Sequence, residues 1–149
     1  MSGEVVLLLS GPNLSLLGER QPLIYGTETL ADHVRRATAV AERHGLVLEH
    51  HQSDSESELV GLVHAARGRA AAIVVNGGAL THYGWSLHDA LASFDGPVVE
   101  LHLSNPDARE PWRHRSVLSP VVDGTISGFG GLGYELALEA AAALVAGRS

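Results

Sequence analysis

A chain of 149 residues suits one domain around one hydrophobic core, and an apolar content of 45% excludes a disordered chain. A formal charge of -7 argues against nucleic acid or an anionic membrane as the main partner, while leaving room for a locally basic pocket. The chain contains no cysteine, so disulfides, thiolate metal sites and a cysteine nucleophile are excluded, and a cytoplasmic location fits.

Val5 to Leu9 is a continuous apolar run, stopped by Ser10-Gly11-Pro12, that reads as a strand buried on both faces. It is too short for a signal-peptide core or a membrane span, and no basic stretch precedes it. Leu30 to His44 has helical spacing, with Leu30, Val34, Ala37, Val40 and Ala41 on one side, Thr27 or Thr29 as the cap and Gly45 as the stop. Leu46 to His50 reads as a second strand, Asp54 to Arg67 as a helix, and Ala71 to Val75 as a third strand ending at Asn76-Gly77-Gly78. Thr81 to Phe94 reads as one helix, Pro97 to Leu103 as a fourth strand, Val121 to Ser127 as a fifth, and Gly131 to Ala146 as a closing alanine-rich helix.

This alternation predicts an α/β fold with right-handed crossovers: a flavodoxin-like three-layer sandwich around a five-stranded parallel sheet of order 2-1-3-4-5. Two connections are long for such units, Ser10 to Thr27 and Ser104 to Pro120. Both follow the carboxyl ends of strands, where this architecture gathers its chemistry. Asn13 follows the first strand, Asn76 the third, and Glu100, His102 and Ser104 come from the fourth. The first and third strands flank the point where strand order reverses, so these groups can meet in one crevice.

Glu100, His102 and Ser104 recur every second residue and share one strand face, with Leu101 and Leu103 on the other. An acid and an imidazole on a buried face form either a satisfied hydrogen-bonded pair or a general acid oriented by a carboxylate. Arg20 and Tyr25 lie in the first long loop. They are either solvated, with Tyr25 folded onto Leu23, or a cation beside a phenol whose phenolate serves as a base, with Gly18 and Gly26 as lid hinges. His82 and Asp89 are seven apart and share a face of the expected helix, where Asp89 is either a surface charge or part of the site. Arg109, Arg113 and Arg115 either balance Asp107 and Glu110 or supply a clamp for a carboxylate or hydroxyl.

Gly128-Phe129-Gly130-Gly131-Leu132-Gly133 matches G-x-G-x-x-G, but no later strand offers a ribose-binding acid, so dinucleotide binding is not expected. Nine histidines, including His50-His51, show no zinc-motif spacing, so no metal site is expected. A flavodoxin-like binding module is the alternative of another class. It would need a run of hydroxyl side chains after the first strand, where Pro12-Asn13-Leu14 stands, and a receiver domain would need aspartate where Asn76 stands.

Three segments carry a resemblance. Ser10 to Gly26 resembles G-P-N-L-N-x-L-G-x-R-x-P-x-x-Y-G, Asn76 to His82 resembles N-P-G-A-x-T-H, and Glu100 to Glu110 resembles E-x-H-x-S-N-x-x-x-R-E. Together they are similar to the type II 3-dehydroquinate dehydratases, in order and over nearly the whole chain. Gly77 stands where the pattern has proline, and Leu80 where an aromatic residue is usual. The resemblance implies dehydration of 3-dehydroquinate to 3-dehydroshikimate, in aromatic biosynthesis or quinate breakdown, without metal or organic cofactor. It implies Tyr25 as base with Arg20 beside it, His102 as proton donor oriented by Glu100, and Asn13 holding the water that stabilises an enolate. Substrate contacts would come from Asn76, His82, Leu103, Ser104 and Arg113, and Asp89 would reach towards a neighbouring subunit of a trimer-based dodecamer. No lysine occurs in the chain, so a Schiff-base route through a lysine side chain is excluded by the sequence itself.

Overall fold

The computed structural model describes residues 3–148. Its five strands are β1 (Val5–Ser10), β2 (Val47–Gln52), β3 (Ala70–Asn76), β4 (Val98–His102) and β5 (Gly124–Ser127). They form one parallel sheet in the order β2-β1-β3-β4-β5, as the alternating pattern predicts. The helices are α1 (Pro22–Tyr25), α2 (Leu30–Arg43), α3 (Glu56–Ala66), α4 (Trp85–Ala92) and α5 (Leu132–Ala146).

The period of two along β1 divides the core. Val6 and Leu8 face one apolar cluster, built with residues of α2 and α5, whereas Leu7 and Leu9 face the other, built with residues of α3 and α4. All four leucine and valine side chains are fully buried, which is why the run lacks polar alternation. The start of α2 is decided by Thr29. Its hydroxyl accepts from the Asp32 N–H, and the Asp32 carboxylate accepts from the Thr29 N–H, a reciprocal cap.

Three expected elements are corrected. The helix expected over 81–94 is broken at Tyr83-Gly84 into a 3-10 turn, Gly78–His82, and α4. A Cβ at Gly84 would stand 2.7 Å from the Leu80 carbonyl oxygen, and the Glu56 carboxylate of α3 accepts the Leu87 N–H, so α4 has its own start. His82 and Asp89 therefore do not share one helix face. The strand expected over 121–127 begins only at Gly124, because Pro120 lies in a 3-10 turn, Ser119–Val121. The helix expected from Asp54 begins at Glu56, where the Ser55 hydroxyl accepts the Glu58 N–H as cap.

Two amides of the glycine-rich turn after β5 are taken up by the protein itself. Gly128 N–H and Gly130 N–H donate to the carbonyls of His102 and Leu103, at 3.3 and 2.9 Å, and so tie the end of β4. No helix among the described residues is long and apolar enough to cross a membrane.

Candidate active site

The carboxyl ends of β1, β3 and β4 open on one pocket. Of the predicted residues, Asn13, Arg20, Tyr25, Asn76, His82, His102, Leu103, Ser104 and Arg113 line it. Glu100 stands directly behind His102, fully buried. Asp89 stands outside: its side chain is 82% exposed and bonds to His88 Nδ1.

β1 hands over to the pocket through a strained corner. Asn13 has φ 68°, a left-handed conformation that asparagine tolerates better than most residues. Its N–H donates to Asp54 Oδ1 at 2.9 Å, and Gln52 Nε2 donates to the same oxygen, so the turn is held from the neighbouring strand end. Asn76, at the end of β3, is buried. Its Oδ1 accepts the Gly78 N–H, and its Nδ2 donates to the hydroxyl of the fully buried Tyr134, which lies 3.5 Å from Ser10 Oγ; Ser10 in turn meets His50 Nε2 at 2.9 Å.

Tyr25 is the last residue of the one-turn helix α1 and is nearly buried. Two guanidinium groups converge on it. Arg109 Nη1 donates to the phenolic oxygen at 2.7 Å and Arg20 Nη2 at 3.4 Å. The Arg20 guanidinium carbon also stands 4.5 Å from the ring centroid. The resemblance puts Arg20 alone beside the phenol, and the sequence offers Arg109 as one of three loop arginines able to clamp a ligand. Its position beyond the end of β4 placed it at the right rim, but contact across 84 residues of sequence is set by how the two long loops meet. The same Arg109 nitrogen donates to Ser104 Oγ at 3.2 Å.

In the same pocket, His102 Nε2 donates to Glu100 Oε2 at 2.6 Å. Burial by itself pushes the Glu100 carboxyl up. Hydrogen bonds from His102, Ser119 and Ser116 together outweigh it and hold the carboxyl below the ordinary carboxylate value. His82 is lowered by burial first, against the pull of its hydrogen bond to Arg115 and with His102 and Arg113 adding repulsion. Burial thus favours the neutral imidazole, and Nδ1–H donates to the Arg115 carbonyl at 2.7 Å. That tautomer leaves Nε2 as an acceptor. Arg113 is held by Glu110 at 3.1 Å and lies over the Trp112 ring.

The pocket thus gathers Arg20, Arg109 and Arg113 on a chain of net charge -7. An anionic ligand is what such a local field favours. A base candidate, an acid candidate and hydroxyl-binding groups share one small volume. Among the described residues, no group of three or more His, Asp or Glu side chains is gathered as a metal site.

Comparison with known proteins places this arrangement. The family model described as dehydroquinase class II matches residues 4–142. The chain is 51% identical over 136 residues to 3-dehydroquinate dehydratase 2 of Pseudomonas aeruginosa, covering 91% of this chain and 92% of that protein. It is 47% identical over 137 residues to the catabolic 3-dehydroquinase of Penicillium rubens, covering 92% and 88%. The crystal structure of type II dehydroquinase from Propionibacterium acnes superposes with a TM-score of 0.90 at 43% identity, over 95% of this chain and 97% of that one. The chain belongs to the class II dehydroquinase family.

Proposed function

We propose that this enzyme dehydrates 3-dehydroquinate to 3-dehydroshikimate, with Tyr25 as the base and His102 as the acid. The observation that carries the reading is that one pocket is lined both by a phenol bound to two guanidinium groups and by an imidazole bound to a buried carboxylate. A ketone makes the neighbouring C–H acidic, but a phenol ordinarily ionises only near pH ~10. Arg109 and Arg20 both donate to the phenolic oxygen of Tyr25, and that contact suits it to the part of the base. The phenolate takes the proton, the electron pair moves into an enolate, and a water held by Asn13 shares that charge. Collapse of the enolate expels the hydroxyl on the opposite side, and His102 gives it a proton, so that water leaves. Glu100 orients the imidazole through its hydrogen bond to Nε2.

The remaining polar groups suit a polyhydroxy carboxylate. Arg113 and Ser104 suit the carboxylate, while neutral His82 accepts from a hydroxyl and Asn76 binds another. Leu103 supplies an apolar wall. No cofactor or metal is invoked. Asp89, set back from the pocket, serves through a neighbouring subunit, in trimers that assemble into a dodecamer. The product would enter aromatic biosynthesis or quinate breakdown in the cytoplasm.

Purified protein mixed with 3-dehydroquinate should produce the absorbance of a conjugated enone. No absorbance change with folded protein would overturn the proposal.

A further inference from the structure

We infer that Ser116 and Ser119 are positioning residues that lock Glu100 as a carboxylate aimed at His102, an inference that rests on the acid role proposed above. Glu100 is fully buried, in register with Val75 of β3 on one side and Thr125 of β5 on the other. A charge there persists only if its oxygens are fully supplied with donors. Oε2 accepts from His102 Nε2 at 2.6 Å and from Ser116 Oγ at 2.8 Å. Oε1 accepts from Ser119 Oγ at 2.8 Å and lies 3.5 Å from Thr125 Oγ1.

The direction of the Ser116 bond is not open to choice. Its oxygen already accepts the N–H groups of Leu118 and Ser119, each at 3.1 Å, so its hydrogen must go to the carboxylate. The main chain of the turn therefore orients one donor and presents the second, Ser119, beside it. Neither serine lines the substrate pocket. They line an adjoining chamber whose other titratable groups are His82, His102, Asp107, Arg113 and His114. Of these, only His102 is hydrogen-bonded to Glu100.

The consequence concerns the acid side of the reaction. While Glu100 stays ionised, it accepts the hydrogen of Nε2, and the proton given to the leaving hydroxyl is the one carried by the other ring nitrogen. Protonation of Glu100 ends that arrangement and should set the low-pH limb of kcat. The serines lower the carboxyl against burial, which raises it. Without them burial gains, and the low-pH limb moves to higher pH.

The test is kcat and KM against pH for Ser116→Ala/Ser119→Ala, with 3-dehydroquinate as substrate. The expected result is a low-pH limb moved up by about one pH unit, with kcat at the original midpoint down about fivefold and KM little changed. Ser119→Thr should restore the original limb, because Ser119 is exposed and the added methyl has room while the hydroxyl is kept. A limb that does not move, or a loss equal at every pH, overturns the inference. If the double variant does not fold, Ser119→Ala alone leaves the Ser116 turn intact and is read the same way, with a smaller shift expected and an unmoved limb again overturning it. Glu100→Gln and His102→Ala separate the two levels. If both keep wild-type kcat, the acid role itself is wrong. If both lose kcat while the serine variants keep the wild-type limb, the inference about the serines fails alone.

Discussion

At the scale of single residues, the phenol of Tyr25 is the most sensitive atom group in the pocket. Tyr25→Phe removes one oxygen and keeps the ring in its place under Arg20. We expect kcat to fall by about 10²–10⁴-fold, the range of a lost general base, with the melting temperature little changed. The two arginines are not equivalent. Arg109 reaches the phenolic oxygen at 2.7 Å and Arg20 at 3.4 Å, so Arg109→Ala should cost kcat more than Arg20→Ala does. A loss of about tenfold or more is expected for Arg109→Ala, since its bond involves a charged donor. Side-by-side kinetics of the three variants check both statements. A Tyr25→Phe enzyme with normal kcat would remove the tyrosinate, and an order of effects reversed between the arginines would restore Arg20 as the main partner.

At the scale of elements, the segment that carries Tyr25 is bounded by two glycines in conformations that side chains resist. Gly18 has φ 94°, and Gly26 has φ 83° with ψ -179°, a region almost confined to glycine. Gly26 follows Tyr25 directly, and no atom lies within 4 Å of a Cβ built on it. Gly26→Ala is therefore a test of backbone strain without a steric clash. Strain of about 1–3 kcal/mol should be relieved by moving α1. The segment can open without unfolding the sheet, so kcat should drop while the melting temperature barely changes. A normal kcat in Gly26→Ala would show that this corner need not hold its conformation for catalysis. The break at Gly84 teaches the same lesson in reverse. It gives α4 an independent start capped by Glu56, and it leaves His82 in a turn that faces the pocket rather than on a helix that points past it.

At the scale of the whole molecule, histidines kept neutral by the fold tie stability to pH. Burial, partly offset by Asp32 and Glu135, lowers His33, which stacks on Tyr134 with neither ring nitrogen partnered. Burial, with His51 adding repulsion, lowers His50 to about 4, and burial also lowers His82. An unfolded histidine takes its proton near pH ~6.5, whereas these folded ones refuse it until lower pH. The unfolded state therefore binds more protons in that interval, and stability should be lost as pH falls from ~6.5 towards 4 and stay flat above ~7. Melting temperatures across that range should show the slope, and His33→Phe, which keeps a ring against Tyr134, should reduce it. An unchanged slope would mean that His33 finds a partner for its proton. Assembly belongs to this scale too. Leu23 and Phe129 are large apolar side chains left in the open, and Asp89 is set back from its own pocket. Light scattering should give a mass that is a multiple of three chains of 15.7 kDa, and monomer alone at micromolar concentration would sink the proposed trimer.

Arg20, Tyr25 and Arg113 stand out through the family resemblance, whereas the sequence by itself determined the strand order, the two long loops and the pocket residues at the strand ends. The reason is that these follow from local pattern. Buried runs such as Val5 to Leu9, helical spacing from Leu30, and the period of two through Glu100 and His102 are each written within one element. Once strand order follows, the carboxyl ends that carry Asn13, Asn76 and His102 must come together. Only the tertiary structure decided which arginine lies nearer Tyr25, where the helix after Asn76 breaks, and which hydroxyls supply Glu100. Arg109 meets Tyr25 across 84 residues, and Ser116 and Ser119 meet Glu100 from a turn whose own amides aim Ser116. Such contacts have no period along the chain. They depend on the path of loops closed by the sheet beneath them, and a serine in a loop carries the same local signal whether its hydroxyl faces water or a buried carboxylate.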